Sequence, residues 1–166
     1  MRVTVATERL SLSLLDDDDM AAIRAGDRDG RPWAHDYPAA PDLLLADLAA
    51  LAPRGMAAGG IWGPWQIAVA SGGPVVGTAG FKGPPDADGA VEIGYGLVPS
   101  ARGHGYATES VEALVDVAAR NAASAVTAET AMTNTASQNV LRRAGFTAAG
   151  PGGTSIARWW RRELRS

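Results

Sequence analysis

Apolar and polar positions alternate in short blocks along the first third of the chain. The stretch TERLSLSLL (7–15) has the period of two that predicts a strand. The stretch DDDDMAAIRAG (16–26) predicts a short helix, because aspartates favour a helix start and Gly26 favours a helix end. A proline-bounded loop, RPWAHDYPAAP (31–41), leads into a second predicted helix, PDLLLADLAALA (41–52).

The rest of the chain predicts a meander followed by alternating helices and strands. WQIAVA (65–70) and PVVGTAGF (74–81), separated by SGG, predict a hairpin, and AVEIGYGLV (90–98) predicts the next strand. A helix over about 106–120 is predicted by four apolar residues at helical spacing: Val111, Leu114, Val115 and Ala118. SAVTAETA (124–131) predicts a strand, NTASQNVLRRAGF (134–146) a short helix ending at Gly145, and TSIARWWRREL (154–164) a last strand.

This order of elements predicts an α/β fold with a mixed sheet and helices on its faces. With 166 residues, 46% of them hydrophobic, the chain fits one domain spanning 1–166. A formal net charge of -3 gives no general attraction to nucleic acid or to an anionic membrane. The N-terminal stretch lacks a signal-peptide layout, and no run approaches the roughly 18 apolar residues of a membrane span, so a cytoplasmic protein is expected.

The composition also bears on the chemistry. The chain has no cysteine, which excludes disulfides, thiolate metal sites and an acyl-cysteine intermediate. His35 and His104 are the only histidines, and neither has a partner at metal-ligand spacing, so no metal site is predicted. Any group transfer must be direct or proceed through oxygen.

The stretch VPSARGHGYATE (98–109) lies between a predicted strand and a predicted helix. A glycine-bearing turn that opens a helix directs unpaired N–H groups and the positive end of the helix dipole at one spot, which suits a phosphate or pyrophosphate. Gly103 and Gly105 allow close approach of the backbone, and Arg102 adds a cation. Taken alone, the stretch could also be a turn without a ligand.

Two other nucleotide-binding loops compete with this interpretation. A dinucleotide-binding turn would use Glu129 on the ribose, but Thr108 replaces the third glycine, and Pro99–Arg102 separate the first glycine from the strand. A nucleoside-triphosphate loop is excluded, because Gly-Lys-Ser/Thr does not occur in the chain.

Three segments in order resemble the GNAT superfamily of acyl-CoA N-acyltransferases, and within it the RimJ/RimL-like branch. They are TERLSL near the N-terminus, VEIGYGLVPSARGHGYATES with its Arg102-x-x-Gly105-x-Ala107 pattern, and NTASQNVLRRAGF. The resemblance covers nearly the whole chain. It implies the GNAT fold, with a mixed, mostly antiparallel sheet and helices on both faces, and acetyl-CoA as the acyl donor.

The resemblance also implies where coenzyme A binds. In the family, the loop after the strand holds the pyrophosphate, a role that falls here on Arg102, Gly103, His104, Gly105, Tyr106 and Ala107. The end of the preceding strand, Leu97 and Val98, matches the place where backbone groups pair with the pantetheine arm. Asn134 matches the family asparagine that contacts the same arm.

Direct acetyl transfer to an amine needs a base for the amine and a proton for the leaving thiolate. On the strand VEIGYGLV the period of two places Glu92 on one face with Gly94 and Gly96, which leaves space for ligand atoms beside a carboxylate. Glu92 is therefore the candidate general base, directly or through a water. The alternative is that Glu92 pairs with an arginine or a backbone donor and only organises the sheet.

The candidate acid departs from the family pattern. Many GNAT members carry a tyrosine four residues before the glycine of the GF pair, where this chain has Leu141. Ser137, one turn beyond Asn134, is the hydroxyl expected near the thioester sulfur, and its alternative is a helix-start residue bonded to backbone. Tyr106 is a weaker candidate.

Two further regions bear on partners. In the loop RPWAHDYP, Trp33, His35 and Tyr37 could wall the acceptor pocket or cap the core. The end ARWWRREL holds three arginines, Arg158, Arg161 and Arg162, and Arg165 follows it. This end could touch nucleic acid or an acidic acceptor, but the acidic remainder of the chain favours a solvated last strand. That last strand could pair with a second copy and form a homodimer.

Taken together, the sequence predicts an acetyl-CoA-dependent N-acetyltransferase without a metal, acting on a primary amine of a peptide N-terminus or a small molecule. The alternative is a non-catalytic acyl-CoA-binding or regulatory module that keeps the loop. The identity of the acceptor is open, because acceptor recognition lies in variable loops.

Overall fold

The computed structural model describes residues 2–51, 60–70 and 72–165. Residue 52 of the second predicted helix and residue 71 of the predicted hairpin turn lie outside these ranges. The helices are α1 Asp17–Ala25, α2 Ala40–Ala50, α3 Tyr106–Arg120 and α4 Thr135–Arg143, with a short 3₁₀ turn at Pro99–Ala101. The strands are β1 Thr4–Ala6, β2 Leu10–Leu14, β3 Pro64–Val69, β4 Val75–Phe81, β5 Ala90–Leu97, β6 Ala125–Ala131, β7 Thr147–Pro151 and β8 Ala157–Glu163.

The eight strands form one sheet in the order β1-β2-β3-β4-β5-β6-β8-β7. Every pair is antiparallel except β5 and β6, which are joined by the α3 crossover and run parallel. The predicted mixed, mostly antiparallel sheet is therefore confirmed. Two strands were not predicted: β1, which has only three residues, and β7, which is exposed along its whole length and shows no apolar alternation.

Helices cover both faces of the sheet. Thr78 on β4 bonds Asp42 of α2, whereas the Tyr95 hydroxyl on β5 bonds Ser137 of α4. Thr78 is opposite Gly96, so its side chain shares the face of the even-numbered residues of β5, and Tyr95 lies on the other face. The four apolar residues predicted to line the buried face of α3 are all buried: Val111, Leu114, Val115 and Ala118.

The pairing of β8 corrects one prediction. β8 pairs with β6 from Ala125↔Glu163 to Ala131↔Ala157, and with β7 on its other side. Both edges of the last strand are occupied, so β8 cannot pair with a second copy; β7 follows it at that end of the sheet. None of the helices in residues 2–51, 60–70 and 72–165 combines the length and the apolar character that a membrane span requires.

The sheet opens at one place. The parallel pairing of β5 with β6 runs from Ala90↔Ala125 to Ile93↔Ala128, while β5 continues to Leu97 along β4. Beyond Ala128, β6 continues along β8 only. The two central strands therefore part after Ile93, and the end of β5 has a free edge beside α4.

Candidate functional site

The loop between β5 and α3 has the conformation that its glycines predict. Pro99–Ala101 form the 3₁₀ turn, and Gly103 and Gly105 both adopt positive φ, +81° and +80°. Gly105 is the N-cap of α3 and offers no side chain to the first helical turn. In such a conformation successive amides point to one side of the loop, which is the geometry of an anion-binding concavity.

The amides of this loop are available. In the described part of the chain, none of the backbone N–H groups of residues 103–108 donates to a protein acceptor, and the first bonded amide is that of Glu109, which reaches the Gly105 carbonyl at 3.2 Å. Residues 103–105 are exposed. Since the helix adds the positive end of its dipole, the loop is equipped to bind an anion of the size of a phosphate.

Two anchors hold the loop in place. Both Asp36 carboxylate oxygens accept from Ser100, one from its amide at 2.9 Å and one from its hydroxyl at 2.7 Å. The hydrogen bond with the Ser100 side chain lowers the pKa of Asp36. The Arg102 Nε donates to the Leu97 carbonyl at 3.2 Å, and its terminal nitrogens have no acceptor among the described residues, so they are free to meet an anion.

Arg9 is a second cation at the loop, and it was not predicted from the sequence. Its Nη1 donates to the His104 carbonyl at 2.6 Å, and its Nε donates to Glu109 at 2.8 Å. The guanidinium lies 4.9 Å from the centre of the Tyr106 ring. Burial raises the pKa of Glu109, but hydrogen bonds from Thr7 and Arg9 outweigh it, and the net shift is downward. The stretch TERLSL carries part of the family resemblance, but only the fold brings it beside the loop.

The free edge of β5 presents backbone groups. The Val98 amide donates to Val76 and the Lys82 amide donates to Glu92, so the even-numbered residues of this strand turn their backbone groups toward β4. The amides of Tyr95 and Leu97 therefore face the gap that opens beyond Ile93. Of the two residues predicted at the pantetheine arm, Leu97 points its amide into this gap, while Val98 has its amide and carbonyl bonded within the protein.

Helix α4 begins at the same gap. The Asn134 side-chain oxygen caps the helix by accepting from the Ser137 amide at 3.1 Å, which leaves the Asn134 side-chain amide free to donate. The Ser137 hydroxyl is 2.6 Å from the Tyr95 hydroxyl. Burial raises the pKa of Tyr95, so its phenol is protonated at neutral pH. Asn134, Ser137 and Tyr95 thus come together, and Tyr95 was not predicted from the sequence.

Glu92 lies on the opposite face with Gly94 and Gly96, as the period of two predicts. Its carboxylate forms an ion pair with Lys82, whose side chain passes over Gly94. A Cβ added at Gly96 would meet nothing within 4 Å, so the space beside this residue is open. The carboxylate therefore has a cationic partner and adjoining room for a ligand.

That room is part of a cavity of about 440 Å³ between α2 and strands β3, β4 and β5. Its lining is mostly apolar and includes Pro41, Leu45, Trp62, Pro64, Ala79 and Phe81. At one end the Asp42 carboxylate accepts from the Thr78 hydroxyl at 2.7 Å and from the Ala39 amide at 2.9 Å. Burial raises the pKa of Asp42. This is the volume of a small-molecule site.

The three residues predicted to wall the acceptor pocket are not among the described residues that line this cavity. Tyr37 is 1% exposed, and its hydroxyl lies 3.4 Å from that of Thr78, which is one of the lining residues. Trp33 packs edge-on against Tyr37, with ring centres 5.3 Å apart. Trp33 and His35 line a different cavity, next to His104 and Tyr106. The 440 Å³ cavity is instead lined by α2, the helix that follows this loop, and by Trp62.

Other charged groups have structural partners. Arg161 pairs with Glu163, and Arg162 donates to the Ala144 carbonyl at 2.6 Å. Glu129, the acid that a dinucleotide turn would need, accepts from the Gly153 amide at 3.0 Å. Across residues 2–51, 60–70 and 72–165, no three His, Cys, Asp or Glu side chains are grouped so that they could hold a metal ion.

Comparison with known proteins gives matches at the level of sequence and of fold. A family model described as the acetyltransferase (GNAT) domain matches residues 9–147. A curated relative, the uncharacterized N-acetyltransferase YjdG of Bacillus subtilis (strain 168), is 36% identical over 83 residues. That alignment covers 49% of this chain and 49% of the relative, so this chain matches about half the length of that protein.

Solved structures match the whole fold. An acetyltransferase from Agrobacterium tumefaciens str. C58 is similar with a TM-score of 0.71 at 22% identity, over 98% of this chain and 95% of that one. RimL, a ribosomal L7/L12 alpha-N-protein acetyltransferase solved in complex with coenzyme A, is similar with a TM-score of 0.71 at 19% identity, over 98% of each chain. At these identities the likeness concerns the fold.

Proposed function

Because the chain belongs to the GNAT acetyltransferase family, we propose that it transfers an acetyl group directly from acetyl-coenzyme A to a primary amine. The family predicted from the sequence is thereby confirmed, and the fold likeness to RimL supports the RimJ/RimL-like branch. The observation that carries the proposal is the loop at residues 103–108, whose amides have no protein acceptor in the described chain and which adjoins the gap between β5 and β6.

The donor is bound along this gap. The amides of Gly103, His104 and Gly105 and the first turn of α3, from Tyr106 and Ala107, take the diphosphate, and Arg102 supplies a cation. Arg9 holds the loop from behind through the His104 carbonyl. The outward amides of Tyr95 and Leu97 and the side-chain amide of Asn134 pair with the pantetheine arm. Val98 was predicted to pair with the same arm, but its backbone amide and carbonyl are already bonded within the protein. We therefore assign Val98 only to the end of the strand.

The chemistry needs one base and one acid. The amine nitrogen attacks the thioester carbon, the C–S bond breaks, and the amide C–N bond forms. Glu92 takes the proton of the amine, directly or through a water, after the amine displaces Lys82 from its carboxylate. The thiolate takes a proton from the Ser137 hydroxyl while Ser137 takes one from the Tyr95 phenol, whose oxygen is 2.6 Å away. Tyr95 is reprotonated from solvent as Glu92 gives up the proton of the amine. Many family members carry a tyrosine in α4 at the position of Leu141. In this chain Tyr95 supplies a phenol from β5 instead.

We expect Ser137→Ala and Tyr95→Phe each to lower kcat by about ten- to a hundredfold, the low side of general-acid effects, because a thiolate can also leave without assistance. The double variant should lose little more than either single one, since the two hydroxyls act as a unit. Steady-state kinetics with acetyl-coenzyme A checks this. Independent, multiplying losses would contradict a shared acid.

We expect Asn134→Ala to weaken ligands that carry pantetheine and to leave adenosine diphosphate unaffected. Asn134→Ser is the control, because serine keeps an N-cap oxygen but has no side-chain amide. Both variants should lose pantetheine binding in calorimetry, and Asn134→Ala should in addition lose about 1 kcal/mol of folding stability. Equal losses for both ligands would contradict the assignment.

A thiol-release assay with acetyl-coenzyme A and a panel of primary amines tests the proposed function. Amine-dependent release, with the acetylated amine found by mass spectrometry, is the expected result. The second candidate is an acyl-CoA-binding module without turnover, which the ion pair of Lys82 with Glu92 and the missing helix tyrosine favour. Tight coenzyme A binding with no release for any amine would select that module.

A further inference from the structure

The cavity next to the Lys82–Glu92 ion pair limits the size, polarity and charge of the amine that can bind as the acceptor. We propose that the acceptor is a primary amine with one positive charge and an apolar body, seated in the 440 Å³ cavity between α2 and strands β3, β4 and β5. This inference rests on the proposed acetyl transfer for its chemistry, but the binding that it describes can be measured without turnover.

The walls of the cavity are apolar on both sides. Leu45 comes from α2, and Trp62 and Phe81 stand edge-to-face with ring centres 5.0 Å apart. Pro41 and Pro64 complete these walls. An apolar body placed here removes its own surface and the exposed part of the half-buried Leu45 and Trp62 side chains from water, which is the main source of affinity that this lining offers.

The charges of the cavity disfavour a second positive charge on the acceptor. Asp42 is the one carboxylate among the described lining residues; it is 6% exposed, and both its oxygens already accept from Thr78 and Ala39. A second ammonium group would find no free carboxylate among these lining residues. Polyamines therefore fit worse than a simple amine.

The cavity is also placed for the reaction. It reaches Gly94, Tyr95 and Gly96, the part of β5 that has parted from β6. Apart from its chain neighbours, no described residue has an atom within 4 Å of a Cβ built on Gly96, so the space over this part of the strand is open. An amine whose body lies against Leu45 and Trp62 can direct its nitrogen toward Glu92 and the strand edge.

The test is a ladder of straight-chain amines from ethylamine to hexylamine, which share one amino group and differ only in apolar length. On the unmodified protein, kcat/KM should rise about fourfold per methylene until the cavity is filled. Calorimetry with the coenzyme A-bound protein should show the same rise in affinity. Spermidine, with its additional charges, should bind at least tenfold more weakly than hexylamine.

Two variants on one helix locate the effect. Leu45→Glu places a carboxylate in the wall and should flatten the ladder. Leu48→Glu makes the same change one turn later on α2, at a residue that is 57% exposed and outside the lining, and should leave the ladder as it is. Circular dichroism checks folding, and the ladder on the unmodified protein stands even if Leu45→Glu does not fold.

The outcomes separate this inference from the proposed function. Rising affinity without thiol release supports the cavity and overturns acetyl transfer to these amines. Thiol release with a flat ladder, or with spermidine ahead of hexylamine, overturns the cavity and keeps the enzyme. A peptide beginning with leucine offers the same amine and apolar body; acetylation of this peptide in preference to hexylamine would support the cavity and select a protein N-terminus as its occupant.

Discussion

Gly105→Val is expected to lower the affinity for coenzyme A by about a hundredfold or more. Gly105 has φ +80°, where a branched side chain is strained, and its added Cβ would lie 3.2 Å from Arg9 Nη2. The loop must then shift, and the amides that converge on the diphosphate no longer point to one spot. Several charge-assisted hydrogen bonds to the diphosphate are lost together. A hundredfold loss of affinity corresponds to about 3 kcal/mol of binding free energy. Isothermal calorimetry measures the change.

Gly26→Val is the matched control for this variant. Gly26 ends α1 with φ +66°, and nothing lies within 4 Å of an added Cβ. The valine strains the backbone there by a similar amount, about 1–3 kcal/mol, far from the loop in sequence. Both variants should lose thermal stability, and only Gly105→Val should lose coenzyme A. Unchanged affinity in a folded Gly105→Val protein would place the diphosphate elsewhere.

Glu92→Gln is expected to lower kcat by about 10²- to 10⁴-fold, the usual contribution of a general base, while coenzyme A affinity changes little. Glutamine keeps the size of the side chain and a hydrogen-bond acceptor but cannot take a proton at neutral pH. Initial rates with saturating donor and amine measure the loss. Wild-type turnover would remove Glu92 from the mechanism.

A second variant separates catalysis from a structural role for the same carboxylate. If Glu92 only organises the sheet through its ion pair, Lys82→Gln removes that pair just as well and should cost as much as Glu92→Gln. If Glu92 is the base, Lys82→Gln should cost less than tenfold, because this pair is partly exposed and worth little to stability. Equal losses from the two variants would favour the structural role.

The elements that could be predicted from the sequence are those whose apolar period is long or whose ends are marked. α3 is found at Tyr106–Arg120, where its stripe and the preceding glycines placed it, and α4 starts after Asn134. β7 was not predicted, because an exposed edge strand needs no apolar face. Its backbone pairing with β8 stabilises it instead. Because β7 was not predicted, the last strand, β8, was expected at an edge of the sheet. It is an inner strand, since β7 follows it in the sheet order.

The candidate site was predictable where one segment carries it and not where the fold assembles it. The loop amides and the face that Glu92 shares with two glycines follow from local spacing. Arg9 and Tyr95 do not, because their partners are far away in the chain: Arg9 reaches Glu109, and Tyr95 reaches Ser137. The cavity depends on α2 lying over β4, as the hydrogen bond of Thr78 with Asp42 shows. No sequence pattern predicts this packing.

The central claim is that the amides of residues 103–108 receive the diphosphate of coenzyme A. A ¹H–¹⁵N correlation spectrum of the labelled protein, titrated with coenzyme A, tests it directly. The amide signals of Gly103 to Thr108 should show the largest shifts, adenosine diphosphate should reproduce them, and pantetheine should not. Saturating coenzyme A that leaves these six signals in place while others move would contradict the claim.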